Sequence, residues 1–557
     1  MIAITLPLQP FSPRHSLAAG STPPSTTAAP LATATPVVTP APELTLPRHY
    51  VVLIVIDAGK PSYYSLARLP NIGALMRRGV VYDRAWVGEM ESTTPNVHVT
   101  FGTGTLPREN GFLGFGWAAP QTRKTVDFRA LLANGAIDPV LRALPVPSVA
   151  ARLHQYMPQS VSVAASGHKD YAVVGLGGGA ASYELYGKFV NHRFQPAFMH
   201  TPPPLSPAEL KSLDVPTPLK LGAEDGWAVQ YALDVVRRVR PKLLMINLPE
   251  LDTWGHWYGP SNTAPFRQLM LNVDRQIGQI EAVYRQLGLL GRTDFIITAD
   301  HSMMESHAAH NWHAVWEAAS AVHATVARGD GEGGSVWLQD PGQAKAVAER
   351  LVKMHPAHVE AIFYRSAPGL TYSYVQASPV SWLISAQAAT ALQHLVDTAA
   401  GRNGPDLWVL YRENYTVVPR NVQGVWKGTH GGATWKVQNV PLILAGPGIR
   451  PGVHSSFPAR AIDVTPTIER LLGLPSIHRD GVLLADALTD ATKGEMKAQD
   501  LLTPSLAADV EALKAQSTAD VRMEQPRPAL PRPSVQCGRA GPKGQICKTT
   551  PEVATNQ

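Results

Sequence analysis

The sequence contains few cysteines and little excess charge, and both shortages exclude classes of protein. Only two cysteines, Cys537 and Cys547, occur among the 557 residues. A cysteine-rich zinc site, which needs up to four thiolates, is therefore excluded, although their spacing would allow one small disulfide loop in an oxidising compartment. The formal net charge is only +6 and the basic residues form no dense run, so the sequence carries no nucleic-acid-binding signature.

The sequence also lacks an apolar run long enough to cross a bilayer. Residues 1–20 do not resemble a signal peptide, because prolines interrupt their apolar stretch and no basic segment precedes it. Residues 21–45 are almost wholly Ser, Thr, Pro and Ala, and such a segment buries too little apolar surface to offset the entropy of ordering. We therefore interpret residues 1–45 as disordered. A linker of this kind favours an extracytoplasmic or secreted protein, although a dispensable tail would have the same composition.

Short, continuous apolar runs alternate with helical patterns along most of the remaining chain. Apolar runs typical of strands buried on both faces of a sheet occupy residues 50–56, 242–248, 294–299 and 440–448. Helical periodicity occurs at residues 70–79, 223–238, 266–287, 341–354 and 461–472. This alternation predicts a three-layer α/β/α sandwich with a mostly parallel central sheet.

The predicted domain covers residues 46–485, with insertions around residues 105–225 and 305–425. Residues 486–557 are polar and then Pro-rich, and we expect loose structure there. Residues 171–180 partly match a dinucleotide-binding G-x-G-x-x-A pattern, but no acidic residue follows at the required distance. We interpret them instead as a glycine-rich surface loop.

Acidic and histidine side chains follow three of the predicted strands. They are Asp57; Asp252 and His256; and Asp300 and His301, while His430 lies in a glycine-flanked loop before a further strand. Asp252 and His256 are four residues apart, so one helical turn would place both on the same face. Taken alone, an adjacent Asp-His pair is also explained by a capped turn, and a lone histidine such as His430 by a surface position. Together, imidazole and carboxylate groups without thiolate favour zinc or a similar divalent ion.

A candidate nucleophile lies in residues 90–104. Thr94 precedes Pro95, and proline is favoured in the first turn of a helix, so a helix is predicted to begin there. The free N–H groups at a helix N-terminus favour a bound anion. The hydroxyl of Thr94 would then be either a helix cap or a nucleophile.

These motifs resemble the alkaline phosphatase superfamily, specifically its nucleotide pyrophosphatase/phosphodiesterase branch. The matching segments, in family order between residues 50 and 475, are 55–57, 94–104, 107–111, 252–260, 299–303, 430–432 and 440–443. The resemblance implies hydrolysis of a small phosphate ester or nucleotide-like substrate through a phosphothreonine intermediate. It also implies two divalent metal ions, usually zinc: Asp252, His256 and His430 would hold one ion, and Asp57, Asp300, His301 and the nucleophile would hold the other.

The register at the nucleophile has two solutions. Alignment on His98 and on residues 102–104 makes Thr94 the nucleophile and needs no gap, so it is favoured. Alignment on residues 95–96 makes Thr93 the nucleophile and gives Asn96 the branch's phosphate-binding position. Asn110 stands where the family usually has histidine.

Three other functions remain to be compared with a phosphodiesterase. A sulfatase is disfavoured, because it needs a cysteine or serine for formylglycine and no cysteine lies near residue 94. A phosphomonoesterase usually carries extra cationic groups for the dianionic phosphate; candidates are Lys60, Arg108, His168 and Lys169. A non-catalytic binding protein of the same fold is disfavoured because no ligand position is visibly lost. The sequence leaves the leaving group and the oligomeric state open.

Overall fold

The computed structural model describes residues 49–309, 312–329, 333–367, 369, 372–377, 384–417, 425–523, 536–537 and 547–548. The predicted disordered segment 1–45 lies outside these residues, as do the side chains of Cys537 and Cys547 and most of the tail beyond residue 523. Among the described residues, no helix combines the length and apolar character needed to cross a bilayer.

The strands follow one another along the chain with irregular spacing. They are β1 Tyr50–Ile56, β2 Gly79–Tyr82, β3 Gly116–Ala118, β4 Thr125–Asp127, β5 Ser162–Ala165, β6 Tyr183–Val190, β7 Arg193–Phe198, β8 Val215–Pro216, β9 Leu243–Leu248, β10 Thr293–Thr298, β11 Met304–Glu305, β12 Ala308–Ala309, β13 Val326–Arg328, β14 Ser335–Leu338, β15 Val359–Arg365, β16 Tyr374–Gln376, β17 Leu407–Tyr411, β18 Tyr415–Thr416, β19 Gly428–Thr429, β20 Leu442–Ala445, β21 Val453–Ser455, β22 Gln536–Cys537 and β23 Cys547–Lys548.

The α-helices lie mostly between these strands. They are α1 Pro70–Arg77, α2 Thr94–Thr103, α3 Pro107–Asn110, α4 Phe128–Ala133, α5 Ile137–Arg142, α6 Val149–Tyr156, α7 Asp170–Gly177, α8 Pro207–Ser212, α9 Ala223–Val239, α10 Glu250–Tyr258, α11 Thr263–Gln286, α12 His313–Ala321, α13 Ala344–Met354, α14 Ala386–Asp397, α15 Trp435–Gln438, α16 Val464–Leu471 and α17 Lys493–Met523.

The central sheet has ten strands in the order β21-β2-β20-β10-β1-β9-β5-β6-β7-β8. From β10 to β6 every neighbouring pair is parallel, whereas β20, β7 and β8 join by antiparallel pairing. The sheet is therefore mostly parallel at its centre, as predicted.

Strand β1 shows why the sheet is covered on both faces. Its residues are continuously apolar, and alternate side chains of a strand point to opposite faces. Val51, Leu53 and Val55 pack into one core cluster, which includes residues of α2, α7 and α16. The intervening residues 52, 54 and 56 pack into another cluster with α9 and α11. Helices therefore cover both faces, which confirms the three-layer α/β/α architecture.

Residues 305–425 contain a second sheet. Its five strands follow the order β13-β14-β17-β15-β16, and all neighbouring pairs are antiparallel. Helices α12 and α13 pack on it through a separate apolar cluster.

Three expectations from the sequence need correction. Residues 105–225 do not form only an insertion, because β5 to β8 complete one side of the central sheet. Residues 171–180 do not form a surface loop: most of them belong to the buried helix α7.

Residues beyond 485 are not loose throughout, since α17 packs through Val510 and Leu513 into the same core cluster as α14. Leu506, Val510 and Leu513 recur at helical spacing, an apolar stripe that the polar composition concealed.

Candidate active site

The candidate site lies at one edge of the central sheet. Strands β10, β1 and β9 are parallel neighbours, with Val55 paired to Thr298 on one side and to Asn247 on the other. Their carboxyl ends therefore meet at the same edge, where open α/β sheets commonly bind ligands. Asp57 follows β1 directly, and Asp300 and His301 follow β10 after one intervening residue.

The first group of side chains consists of Asp57, Asp300, His301 and Thr94. Oγ1 of Thr94 lies 3.3 Å from Nε2 of His301 and 3.5 Å from Oδ1 of Asp57. The same imidazole nitrogen lies 3.4 Å from Oδ2 of Asp300. The carboxylates and the imidazole are fully buried, and Oδ2 of Asp300 has no hydrogen-bond partner.

The second group consists of Asp252, His256 and His430. Helix α10 places the first two one turn apart, and Nε2 of His256 lies 3.3 Å from Oδ1 of Asp252. Nε2 of His430 lies 3.4 Å from the same oxygen, which has no hydrogen-bond partner. His430 reaches this position from a loop followed by Gly431 and Gly432, both with positive φ.

Backbone carbonyls orient two of the imidazoles. Nδ1 of His256 lies 3.0 Å from the carbonyl oxygen of Gly428, and Nδ1 of His301 lies 3.0 Å from that of Ser302. Since a carbonyl only accepts, each Nδ1 carries the proton and donates it. Nε2 of each imidazole therefore faces the carboxylates, which is the orientation that metal-ligating histidines adopt.

Both groups fit a divalent cation. Ligands about 2.0–2.1 Å from a tetrahedral zinc ion are roughly 3.3–3.4 Å apart, close to the separations of 3.3–3.6 Å within each group. The unpartnered oxygens of Asp252 and Asp300 are buried, and such atoms are costly unless something binds them. Burial also lowers the pKa of His430 well below its ordinary value, so its imidazole is neutral and available as a ligand.

The two threonines occupy different positions. Thr94 is the first residue of α2, and its hydroxyl belongs to the first group, as described above. Thr93 is the N-cap residue, but its side chain makes no capping hydrogen bond, and its buried Oγ1 has no partner. The arrangement therefore favours the register in which Thr94 is the nucleophile.

Asn96 lies in the first turn of α2 and is buried. Its Oδ1 accepts a hydrogen bond from the backbone N–H of Gly114, while its Nδ2 has no hydrogen-bond partner. The side chain oxygen is thus used for a backbone contact, and a role in phosphate binding stays a prediction.

Lys169 joins the two groups. Its Nζ donates to Asp57 at 2.9 Å and to Asp252 at 2.7 Å, and it lies 3.3 Å from Oγ1 of Thr94. Burial alone would lower the pKa of Lys169, but the charges of Asp252 and Asp57 hold it well above its ordinary value. The site therefore contains a buried ammonium group beside the candidate nucleophile.

The other candidate cations have different partners. Arg108 pairs with Asp480, and Nδ1 of His168 lies 2.6 Å from Glu224. Lys60 lines a separate cavity of about 530 Å³ with Trp435 and residues of α17. Lys169 is thus the candidate that contacts both groups, and sequence alone did not distinguish it from a surface lysine.

Sequence reasoning missed a supporting chain of hydrogen bonds behind the first group. Nδ1 of His98 donates to the carbonyl of Thr94 at 2.8 Å, and its Nε2 accepts from Nδ2 of Asn247 at 2.9 Å. The same amide donates to Asp57 at 2.8 Å. The signal that could have revealed this chain is Asn247 itself, a polar residue within an otherwise apolar buried strand.

Comparisons with known proteins agree with this fold. Murine ectonucleotide pyrophosphatase/phosphodiesterase 5, solved as an inactive variant in complex with AMP, is similar at 13% identity and a TM-score of 0.56, over 79% of this chain and 100% of that chain. The human protein of the same name is similar at 14% identity and a TM-score of 0.54, over 79% of this chain and 100% of that chain. Alkaline phosphatase PafA is similar at 14% identity and a TM-score of 0.59, over 80% of this chain and 99% of that chain. At these identities the likeness shows a shared fold. No curated protein sequence matches the chain.

The fold is similar to that of alkaline phosphatase PafA. A family model for type I phosphodiesterase / nucleotide pyrophosphatase matches residues 51–433, and the chain therefore belongs to that family. Membership identifies a hydrolase of phosphoric esters, of the phosphodiesterase, pyrophosphatase or phosphatase type.

Proposed function

We propose that the chain is a metal-dependent phosphodiesterase or nucleotide pyrophosphatase with Thr94 as its nucleophile. The observation that carries the proposal is the position of the Thr94 hydroxyl at the N-terminus of α2, 3.3 Å from both His301 and Lys169. Helix N-termini favour anions, so a phosphoryl group would meet the hydroxyl, the ammonium group and the free N–H groups together.

In the proposed reaction, the hydroxyl of Thr94 loses its proton, Oγ1 attacks phosphorus, and the bond to the leaving oxygen breaks with its electron pair on that oxygen, which can take up the released proton. A phosphothreonine remains until water hydrolyses it. Asp57, Asp300, His301 and Thr94 would hold one divalent cation, and Asp252, His256 and His430 would hold another, with zinc the best match to these donors. Two bound cations would supply charge neutralisation for the attacking and leaving oxygens.

The substrate class and the location are part of the same proposal. The murine relative was solved with AMP, which supports a small nucleotide-like phosphate ester as the substrate. The Ser/Thr/Pro/Ala composition of residues 21–45 supports a site of action outside the cytoplasm.

A phosphomonoesterase is the second candidate, and Lys169 is the observation that favours it. A terminal phosphate carries one more negative charge than a diester, and a buried ammonium group compensates such charge strongly where water is excluded. The charged groups at the site are therefore compatible with either a monoester or a diester substrate, whereas the family match favours the diester.

The test compares bis(p-nitrophenyl) phosphate with p-nitrophenyl phosphate. We expect chelation to abolish hydrolysis, added zinc to restore it, and the diester to be preferred. Asp252→Asn should prevent the restoration, whereas Asp83→Asn, which changes an exposed carboxylate, should not. Preference for the monoester would select the second candidate, and zinc binding without turnover of either ester would contradict both and indicate a binding protein.

A further inference from the structure

We propose that Asp138, Glu184 and His200 form an additional divalent-cation site, separate from the candidate active site. Asp138 lies in α5, Glu184 in β6, and His200 shortly after β7. One potential ligand atom from each residue lies within 4.8 Å of the others, and the imidazole of His200 contacts the carboxylate of Asp138 directly. The site shares no residue with the two groups described above.

The carboxylates need a partner that the surrounding side chains do not fully supply. Glu184 is only 4% exposed and Asp138 only 1%. Neither oxygen of Glu184 has a hydrogen-bond partner. Burial of an unpaired carboxylate is costly, so such groups take up a proton, pair with a cation or bind a metal. Burial, together with the charge of Asp138, raises the pKa of Glu184 well above its ordinary value.

The nearby guanidinium compensates only part of this charge. Nη1 of Arg142 lies 3.9 Å from Oδ2 of Asp138, and the same nitrogen donates to the carbonyl of Gly179 at 2.8 Å. The arginine side chain is 55% exposed, so solvent weakens its effect on the buried carboxylates. A cation between the three side chains would compensate both carboxylates at once.

The donor set indicates which cation would bind. Two carboxylates and one imidazole combine oxygen and nitrogen ligands, which suits Zn²⁺ or Mn²⁺ better than Ca²⁺ or Mg²⁺. His200 is 58% exposed, which gives the ion a route of entry and leaves room for water ligands. Gly177 borders the site, and a Cβ there would collide with Oε1 of Glu184, so glycine leaves the space that this carboxylate occupies.

A cation here would connect three segments that are distant in sequence. It would tie α5 and the chain after β7 to β6, next to the C-terminal end of α7. The N-terminal end of that helix follows Lys169. We therefore expect the ion to stabilise the fold on this side of the sheet rather than to take part in ester hydrolysis.

The test counts bound zinc in the full chain after chelation, dialysis against Zn²⁺ and removal of free ion. His200→Ala removes an exposed ligand with little risk to folding, and Glu184→Gln removes a buried one isosterically. His394→Ala is the matched control, because His394 is 53% exposed and lies 2.9 Å from the buried Asp509, and no third ligand completes a metal-binding group with them among the residues that the structure describes.

We expect the wild type and His394→Ala to bind one zinc ion more per chain than His200→Ala and Glu184→Gln. Equal zinc content in all four proteins would overturn the proposal. The difference does not depend on how many ions the candidate active site holds, and ester hydrolysis at saturating zinc should be the same in His200→Ala and the wild type. Failure of this proposal is therefore distinguishable from failure of the proposed function.

Discussion

The ammonium nitrogen of Lys169 lies 3.3 Å from the hydroxyl oxygen of Thr94. This contact joins the start of α7 to the first residue of α2, and it places a positive charge beside the proposed nucleophile. The same ammonium group bridges Asp57 and Asp252, so it links the two groups of proposed metal ligands. The ammonium group would compensate negative charge on the substrate, and the amount of that charge is the main difference between the monoester and diester substrates of the two candidate functions.

Replacing Lys169 should affect the two ester classes unequally. We expect Lys169→Met to lower kcat/KM for p-nitrophenyl phosphate by about 10²–10³-fold, the range for loss of one buried electrostatic contact to the transition state. The loss for bis(p-nitrophenyl) phosphate should be smaller, since the diester carries less charge. Lys188→Met, at an exposed position of β6, is the control. An equal loss of kcat/KM for both esters would show that Lys169 does not distinguish substrates by their charge.

Replacing Thr94 should reduce activity far more than replacing Thr93. We expect Thr94→Ala to lose about 10⁴-fold or more in kcat, as for removal of a nucleophile. Thr93→Ala should stay within about tenfold, because the Thr93 side chain makes no capping bond. Mass spectrometry of acid-quenched wild-type enzyme should locate a phosphoryl group on Thr94. A phosphopeptide carrying the group on Thr93 would instead establish the alternative register.

The site residues at the strand ends were predictable from the sequence, because each lies where a continuous apolar run stops at a carboxylate. Asp57 and Asp300 follow such runs directly, and Asp252 and His256 have a helical spacing that periodicity reveals. The position of Lys169 was not predictable in this way, since it depends on packing between α7 and α2, two segments far apart in sequence. The same packing accounts for Gly175, which lies within α7 rather than in a turn and lets α2 approach closely.

That packing leads to a prediction about Gly102. A Cβ on Gly102 would collide with the carbonyl oxygen of Gly175, and one on Gly175 would lie 2.8 Å from Cβ of His98. We expect Gly102→Ala to lower the free energy of unfolding by about 1–3 kcal/mol through overpacking, and to reduce activity by displacing Lys169 from Thr94. Gly291→Ala is the control, because a Cβ there meets no atom within 4 Å.

Urea unfolding and ester hydrolysis measure these two effects. Gly291→Ala should match the wild type in both, whereas Gly102→Ala should be lower in both. A Gly102→Ala protein with unchanged stability and activity would show that α2 and α7 are less closely packed than the structure indicates.

Glu89 should make stability depend on pH. It is fully buried near α2, and Oγ1 of Thr100 donates to it at 2.7 Å. Burial raises its pKa from 4.5 to about 8, against the opposing effect of that hydrogen bond. The folded state therefore holds a proton that the unfolded chain releases near pH 4.5, so this group lowers the free energy of unfolding as pH rises from about 4.5 to about 8.

Glu89→Gln removes this titration and should gain stability relative to the wild type across the same interval. The difference in unfolding free energy should grow by roughly 1.4 kcal/mol per pH unit, the free energy that corresponds to one pKa unit, and level off above the folded-state pKa. Glu511→Gln, at a side chain that is 61% exposed, should give a curve parallel to the wild type. Parallel curves for Glu89→Gln as well would mean that Glu89 ionises in the folded protein as readily as in the unfolded chain, so burial would not control its proton.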